Sequence, residues 1–263
     1  MPRSRLVLRA ALVALACGLA SGCSWPLCDE ACPDGHRCID GACIVDPCKG
    51  KSCGPDGYGG SCGACAGVCR EGQCKTCSAD MVRIMDQEAC IDRFEASPGP
   101  RGRAQSMAGR APWNRVTWIE AKTACELAGK RLCTREEWTT ACVGPQPCEF
   151  YCTPQYPYGP EYVYDKCFGA ALASEPKRTG PFLTGSYQQC EGGVPGLFDM
   201  SGNVREWVST CTTSSCKTLG GSYLDSGSSL SCKAEESEYS NIQVPKWSSG
   251  EGLDVGFRCC AGL

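Results

Sequence analysis

The chain has 263 residues, a formal net charge of −3, an isoelectric point near 5.4, 26 cysteines and a single histidine. A balance this mildly acidic leaves no basic footprint for nucleic acid. Glycine and proline, 32 and 17 residues, stay below the share that marks a disordered chain.

The N-terminus reads MPRSRLVLR and then AALVALACGLASGC. Arginines followed by a short apolar run and small residues make an export signal over 1–22, and a run this short does not span a bilayer. The ending ASGC resembles the bacterial lipoprotein signal, which makes Cys23 the lipidated first residue of the mature chain. The anchor then adds about 0.8 kcal/mol of membrane affinity per buried CH₂. The implied location is the bacterial cell envelope, with the membrane as a partner through the lipid. Setting aside Cys17 and Cys23, 24 of the 26 cysteines remain, an even number. In an exported chain such cysteines pair as disulfides.

From 24 to 77 the cysteines are dense and apolar periodicity is absent. DGHRCIDGAC and VCREGQC repeat one idea, a turn followed by two closely spaced cysteines. Such a segment cannot bury a large core, so disulfides, each worth about 2–4 kcal/mol, hold it. It reads as a spacer. His36 lies here, in an exposed turn, and it is the chain's one imidazole.

From about Ser78 the apolar pattern becomes regular. Thr117-Trp118-Ile119-Glu120 forms a capping box, Trp118, Ala121, Cys125 and Ala128 follow at helical spacing, and Gly129 stops the helix. Thr134-Arg135-Glu136-Glu137 opens a shorter helix that runs to about Cys142. Residues 145–200 read as long loops, and strands are expected at 204–209, 217–224 and 254–260. The class is α+β, disulfide-rich and poor in regular structure. FDMSGNVREWV (198–208) carries two acids around a turn. On spacing alone it is a hairpin with Glu206 solvated, or an oxygen-rich cation site.

Six phrases then stand in order: CIDRFEAS (90–97), PWNRVTWIEAKTACELAGKRLCTREEWTTAC (112–142), YPYG (156–159), GLFDMSGNVREWV (196–208), LGGSY (219–223) and DVGFRCC (254–260). Together they resemble the formylglycine-generating enzyme family, or sulfatase-modifying-factor domain, over 80–263. The resemblance implies a C-type-lectin-like α+β fold with little regular structure. It also implies disulfides Cys125–Cys259 and Cys142–Cys232; Cys260, on the opposite face of a strand from Cys259, then needs a different partner. A structural calcium ion is implied at Asp199, the carbonyls of Gly202 and Val204, and Glu206. The family's second calcium site falls near 167–173, where no ligand set is evident.

The family's active members oxidise a sulfatase cysteine to formylglycine with oxygen and copper held by two thiolates, which lie after the GGS[YWF] motif. Here that stretch is GGSYLDSGSSLSC. The first thiolate position is Asp225 and the second falls near Gly227. Neither supplies the soft sulfur that copper(I) requires. Iron-dependent relatives use histidines, and 78–263 contains none. No catalytic residue is nominated, and the expectation is a non-catalytic binding or structural module. Its ligand would be an envelope protein, a peptide or a glycan, met by exposed aromatics such as Tyr156, Tyr158, Tyr162 and Tyr164; the equal alternative is that these tyrosines pack against loop backbone. The alternative is an active formylglycine-generating oxidase.

Overall fold

The computed structural model describes residues 32, 34–39, 42–145, 155–173, 180–212, 215–234, 237–239 and 254–263. The signal segment, Cys23, Cys148 and Cys152 lie outside these residues. Among the described residues no helix is long and apolar enough to cross a membrane. The chain divides into two compact units between Lys75 and Thr76.

The first unit is built from two hairpins. β1 (His36–Ile39) pairs with β2 (Ala42–Val45), and β3 (Val68–Arg70) with β4 (Gln73–Lys75). Its one buried apolar residue, among those described, is Cys53. Cross-links do the work that a core would do: Cys32–Cys43, Cys48–Cys62, Cys53–Cys69 and Cys65–Cys74. His36 is exposed in β1.

The second unit begins with β5 (Met81–Arg83), β6 (Ala89–Asp92), β7 (Ala96–Pro98) and β8 (Ala104–Ser106). Two helices follow, α1 (Trp118–Leu127) and α2 (Arg135–Val143), with the short strand β9 (Arg131–Leu132) between them. Both capping boxes are closed: Thr117 and Thr134 accept from the amides of Glu120 and Glu137, whose carboxylates reach back. Gly129, at φ +75°, turns the chain so that the Lys130 amide reaches the Cys125 carbonyl and ends α1. After α2 comes a short helix, α3 (Ala170–Ala173). The remaining strands are β10 (Arg205–Cys211), β11 (Cys216–Leu219), β12 (Ser237–Tyr239), β13 (Val255–Phe257) and β14 (Cys259–Gly262).

These strands make two four-stranded sheets, ordered β12-β11-β10-β13 and β5-β6-β14-β9, and a β7–β8 ribbon. Two of the strands expected from sequence come out differently. The one expected at 217–224 ends at Leu219, because Gly220 and Gly221 have φ of +88° and +65° and turn the chain away. A side chain at 220 would also meet the ring of Trp138. The one expected at 254–260 is two strands, which change sheet at Arg258. One core cluster gathers Ile84, Ile91, Trp138, Leu197, Met200 and Val208; another gathers Val116, Ala121, Cys125, Trp207, Val255 and Phe257.

The bridges Cys125–Cys259, Cys133–Cys260 and Cys142–Cys232 join both helices and β9 to the C-terminal part of the chain. Adjacent Cys259 and Cys260 reach different partners because neighbouring side chains leave a strand on opposite faces. Further bridges in this unit are Cys77–Cys90, Cys167–Cys190 and Cys211–Cys216.

Candidate functional site

The GGSY turn leads from β11 to Asp225. This carboxylate is bound twice by Arg205, with Nη2 at 2.7 Å from Oδ1 and 2.6 Å from Oδ2. Arg205 Nε lies 3.1 Å from Oδ2, and the Ser222 amide and hydroxyl donate to the same oxygen at 2.8 and 3.0 Å. Arg205 also pairs with Asp254 at 3.2 Å. Both side chains of the Arg205–Asp225 pair are less than one-fifth exposed. A cavity of about 70 Å³ beside them is lined by Thr218, Gly221 and Ser229 as well.

Gly227 opens a 3-10 turn that ends at Leu230, and its carbonyl accepts from the Tyr156 hydroxyl at 3.2 Å. The sulfurs nearest in sequence are both committed, Cys232 to Cys142 and Cys216 to Cys211. Every described cysteine is disulfide-bonded. These residues do not fit copper: an aspartate locked by a guanidinium and a glycine offer no thiolate pair.

Tyr156 is 4% exposed, stacks on Tyr158 with ring centroids 5.4 Å apart, and meets the Tyr162 ring at a tilt with centroids 5.9 Å apart. It is packed rather than exposed, and Tyr158 and Tyr162 are half-buried. Of the four tyrosines, Tyr164 alone is exposed, so the packed alternative holds for the other three.

The SGN turn that precedes β10 is buried. Asp199 and Asn203 adopt φ of +59° and +58°, a region that Asn and Asp tolerate better than most residues. Gly202 has φ +82°, and a Cβ there would lie 2.2 Å from the Phe168 carbonyl. The Asn203 amide donates to that same carbonyl at 2.8 Å. Asp199 Oδ2 accepts from the Gly185 amide at 2.6 Å.

Glu206 is 1% exposed, so it is no solvated charge. It holds Arg258 through both oxygens, at 2.6 and 2.7 Å, and accepts from the Trp138 indole at 2.6 Å. Glu95, fully buried, accepts from the Val204 amide at 3.0 Å and from Asn203 Nδ2 at 2.5 Å.

Glu206 thus binds the guanidinium of Arg258 directly, and the carboxyls of Glu95 and Asp199 act on it electrostatically. Burial, with the charges of Asp199 and Glu206, pushes the Glu95 carboxyl well above its usual range. Burial pushes Asp199 up to about 6 against the pull of the Gly185 amide and Arg258. Carboxyls outnumber the guanidinium here, and the donors are hard oxygens, which is the chemistry that calcium takes. Among the described residues no group of three His, Cys, Asp or Glu side chains is placed to hold a metal ion. A cation at this turn would draw its other ligands from backbone carbonyls, as the set Asp199, Gly202, Val204 and Glu206 requires.

Glu95 and Arg258 are the residues that sequence reasoning misses. Their signal is a charge set inside an apolar phrase, FEA and GFRC, where an unpaired charge would be costly.

The model of the sulfatase-modifying factor enzyme 1-like domain matches residues 72–262. The chain belongs to this family. Its sulfatase-modifying-factor domain has the α+β fold of formylglycine-generating enzymes, disulfide-rich and poor in regular structure. Among solved structures, variable protein 1 of Treponema denticola is 15% identical, with a TM-score of 0.42, over 72% of this chain and 93% of that one. CarF is 18% identical, with a TM-score of 0.43, over 66% and 86%. The I1 variant of the Major Tropism Determinant is 12% identical, with a TM-score of 0.44, over 71% and 53%. None of the curated proteins compared matches the chain.

Proposed function

We propose that this protein is an exported, lipid-anchored component of the bacterial cell envelope. Its sulfatase-modifying-factor domain acts as a non-catalytic binding or structural module, and the cysteine-rich segment as a spacer. The observation that carries the reading is Asp225. At the first thiolate position of the family stands a carboxylate fixed by Arg205, with every described cysteine oxidised. Anaerobic copper(I) titration of the purified chain tests it. The expected result is no stoichiometric thiolate-type binding; tight binding at one ion per chain would restore the oxidase reading. Labelling with a radioactive fatty acid, lost on Cys23→Ala, tests the anchor.

A structural calcium ion held by Asp199, Glu206 and the carbonyls of Gly202 and Val204 belongs to the same reading. The acidic excess around Arg258 supports it. Calorimetric titration with Ca²⁺ of the chelator-treated chain should show one site, and a flat titration would remove calcium from the account.

A further inference from the structure

Glu95 lies outside the calcium ligand set and yet is bonded directly to the turn that supplies it. It comes from the segment just after β6, while the SGN turn lies more than a hundred positions later, so the fold alone brings them together. Its two oxygens are divided between neighbours. Oε1 accepts from the amide of Val204, whose carbonyl belongs to the proposed set. Oε2 accepts from the Asn203 side chain. Asn203 in turn accepts from the Phe182 amide at 2.8 Å through Oδ1. Its amide group also lies 3.3 Å from the Phe182 carbonyl.

A buried carboxylate in this position has two roles open to it. As a third side-chain ligand, it would have to converge with Asp199 and Glu206. No such convergence of three acidic side chains occurs among the described residues. What remains is to act through the turn. A carboxylate that fixes a backbone amide fixes the orientation of the adjoining peptide planes as well, because each plane is rigid. Holding the Val204 amide and the left-handed Asn203 limits how far the Gly202–Val204 segment can rotate. That segment supplies both proposed carbonyl ligands.

We infer that Glu95 is a positioning residue for the cation: it does not ligate, but holds the Gly202–Val204 turn with its carbonyls in place. The inference rests on the calcium reading above. Groups in this relation to a metal typically change its affinity about 10–100-fold when removed.

Three chelator-treated proteins test it by Ca²⁺ titration calorimetry, with thermal melting in parallel: the wild type, Glu95→Gln and Glu95→Ala. The expected result is a wild-type site whose affinity falls at least about tenfold in Glu95→Gln, in a protein that still melts cooperatively without calcium. The glutamine side chain is nearly isosteric and keeps an acceptor for the Val204 amide but none for Asn203 Nδ2, so Glu95→Gln keeps the test readable should Glu95→Ala not fold. A Glu95→Gln protein that melts lower without calcium but binds it with unchanged affinity would overturn the inference and leave the calcium site intact. A wild-type protein that binds no Ca²⁺ would remove the reading itself, and the inference with it.

Discussion

Asp225 shows what a single position decides. Its carboxylate is not merely an absent thiolate. It takes three contacts from Arg205 and two from Ser222, so the loop after the GGSY turn is built around it. Asp225→Ala would remove the bidentate half of the Arg205 pairing and leave the guanidinium to the longer contact with Asp254. A half-buried pair lies between the exposed case, worth under about 1 kcal/mol, and the buried one, at about 3–5. A loss of about 1–3 kcal/mol is expected, read from the urea midpoint at unchanged slope. Asp225→Cys should lose a similar amount and still fail to gain stoichiometric copper(I) binding, because Gly227 and the paired Cys232 offer no second thiolate. The aspartate itself was legible in the sequence. Its salt bridge was not, because Arg205 lies twenty positions away on another element.

At the scale of elements, the two helices were the most legible part of the chain, since a capping box is a local code written within four residues. In α2 the box carries an additional load. Glu137 caps Thr134 and also binds Arg131, the exposed residue that opens β9. Against burial, which works to raise it, the Arg131 guanidinium and the Thr134 amide hold the Glu137 carboxyl below its ordinary value. A carboxyl with a depressed value in the folded state stabilises fully above its unfolded value of about 4.5 and loses that contribution as the pH falls through the folded one. Acidification below about pH 4.5 should therefore weaken α2, and Glu137→Gln should flatten that part of the stability–pH curve. Thr134→Ala should cost about 1 kcal/mol at neutral pH. Chemical denaturation at several pH values checks all three. The strands were less legible because tertiary contacts set their ends. β11 stops where Gly220 must clear Trp138, and Arg258 separates β13 from β14 because Glu206 holds it between the sheets. The buried acidic cluster escaped the sequence for the same reason: Glu95, Glu206 and Arg258 meet only once both sheets are formed.

At the scale of the whole molecule, the C-terminal strand is fastened by two bridges that close almost the same loop. Cys125–Cys259 spans 134 positions and Cys133–Cys260 spans 127. In the chain-entropy model the first bridge to form restricts a loop of over a hundred residues, which contributes about 4–5 kcal/mol. The second then closes only the short circuit left between positions 125–133 and 259–260, worth about 2.5–3 kcal/mol. Either bridge therefore hides the other. Cys125→Ala with Cys259→Ala should cost about 3 kcal/mol, and Cys133→Ala with Cys260→Ala about the same. Cys142–Cys232 stays in place and shortens the long loop, so the quadruple variant should exceed the sum of the two pairs by about 1–2 kcal/mol. Urea denaturation of the four proteins under non-reducing conditions measures this coupling. Strict additivity would mean that the bridges act through separate local strain in the native state, and that the C-terminal strand is not a doubly fastened unit. The positive coupling expected here follows from chain order alone. It gives a reason for two adjacent cysteines in GFRCC: they lock one strand to α1 and β9 from both faces, and so hold Arg258 beside the acidic cluster that it has to balance.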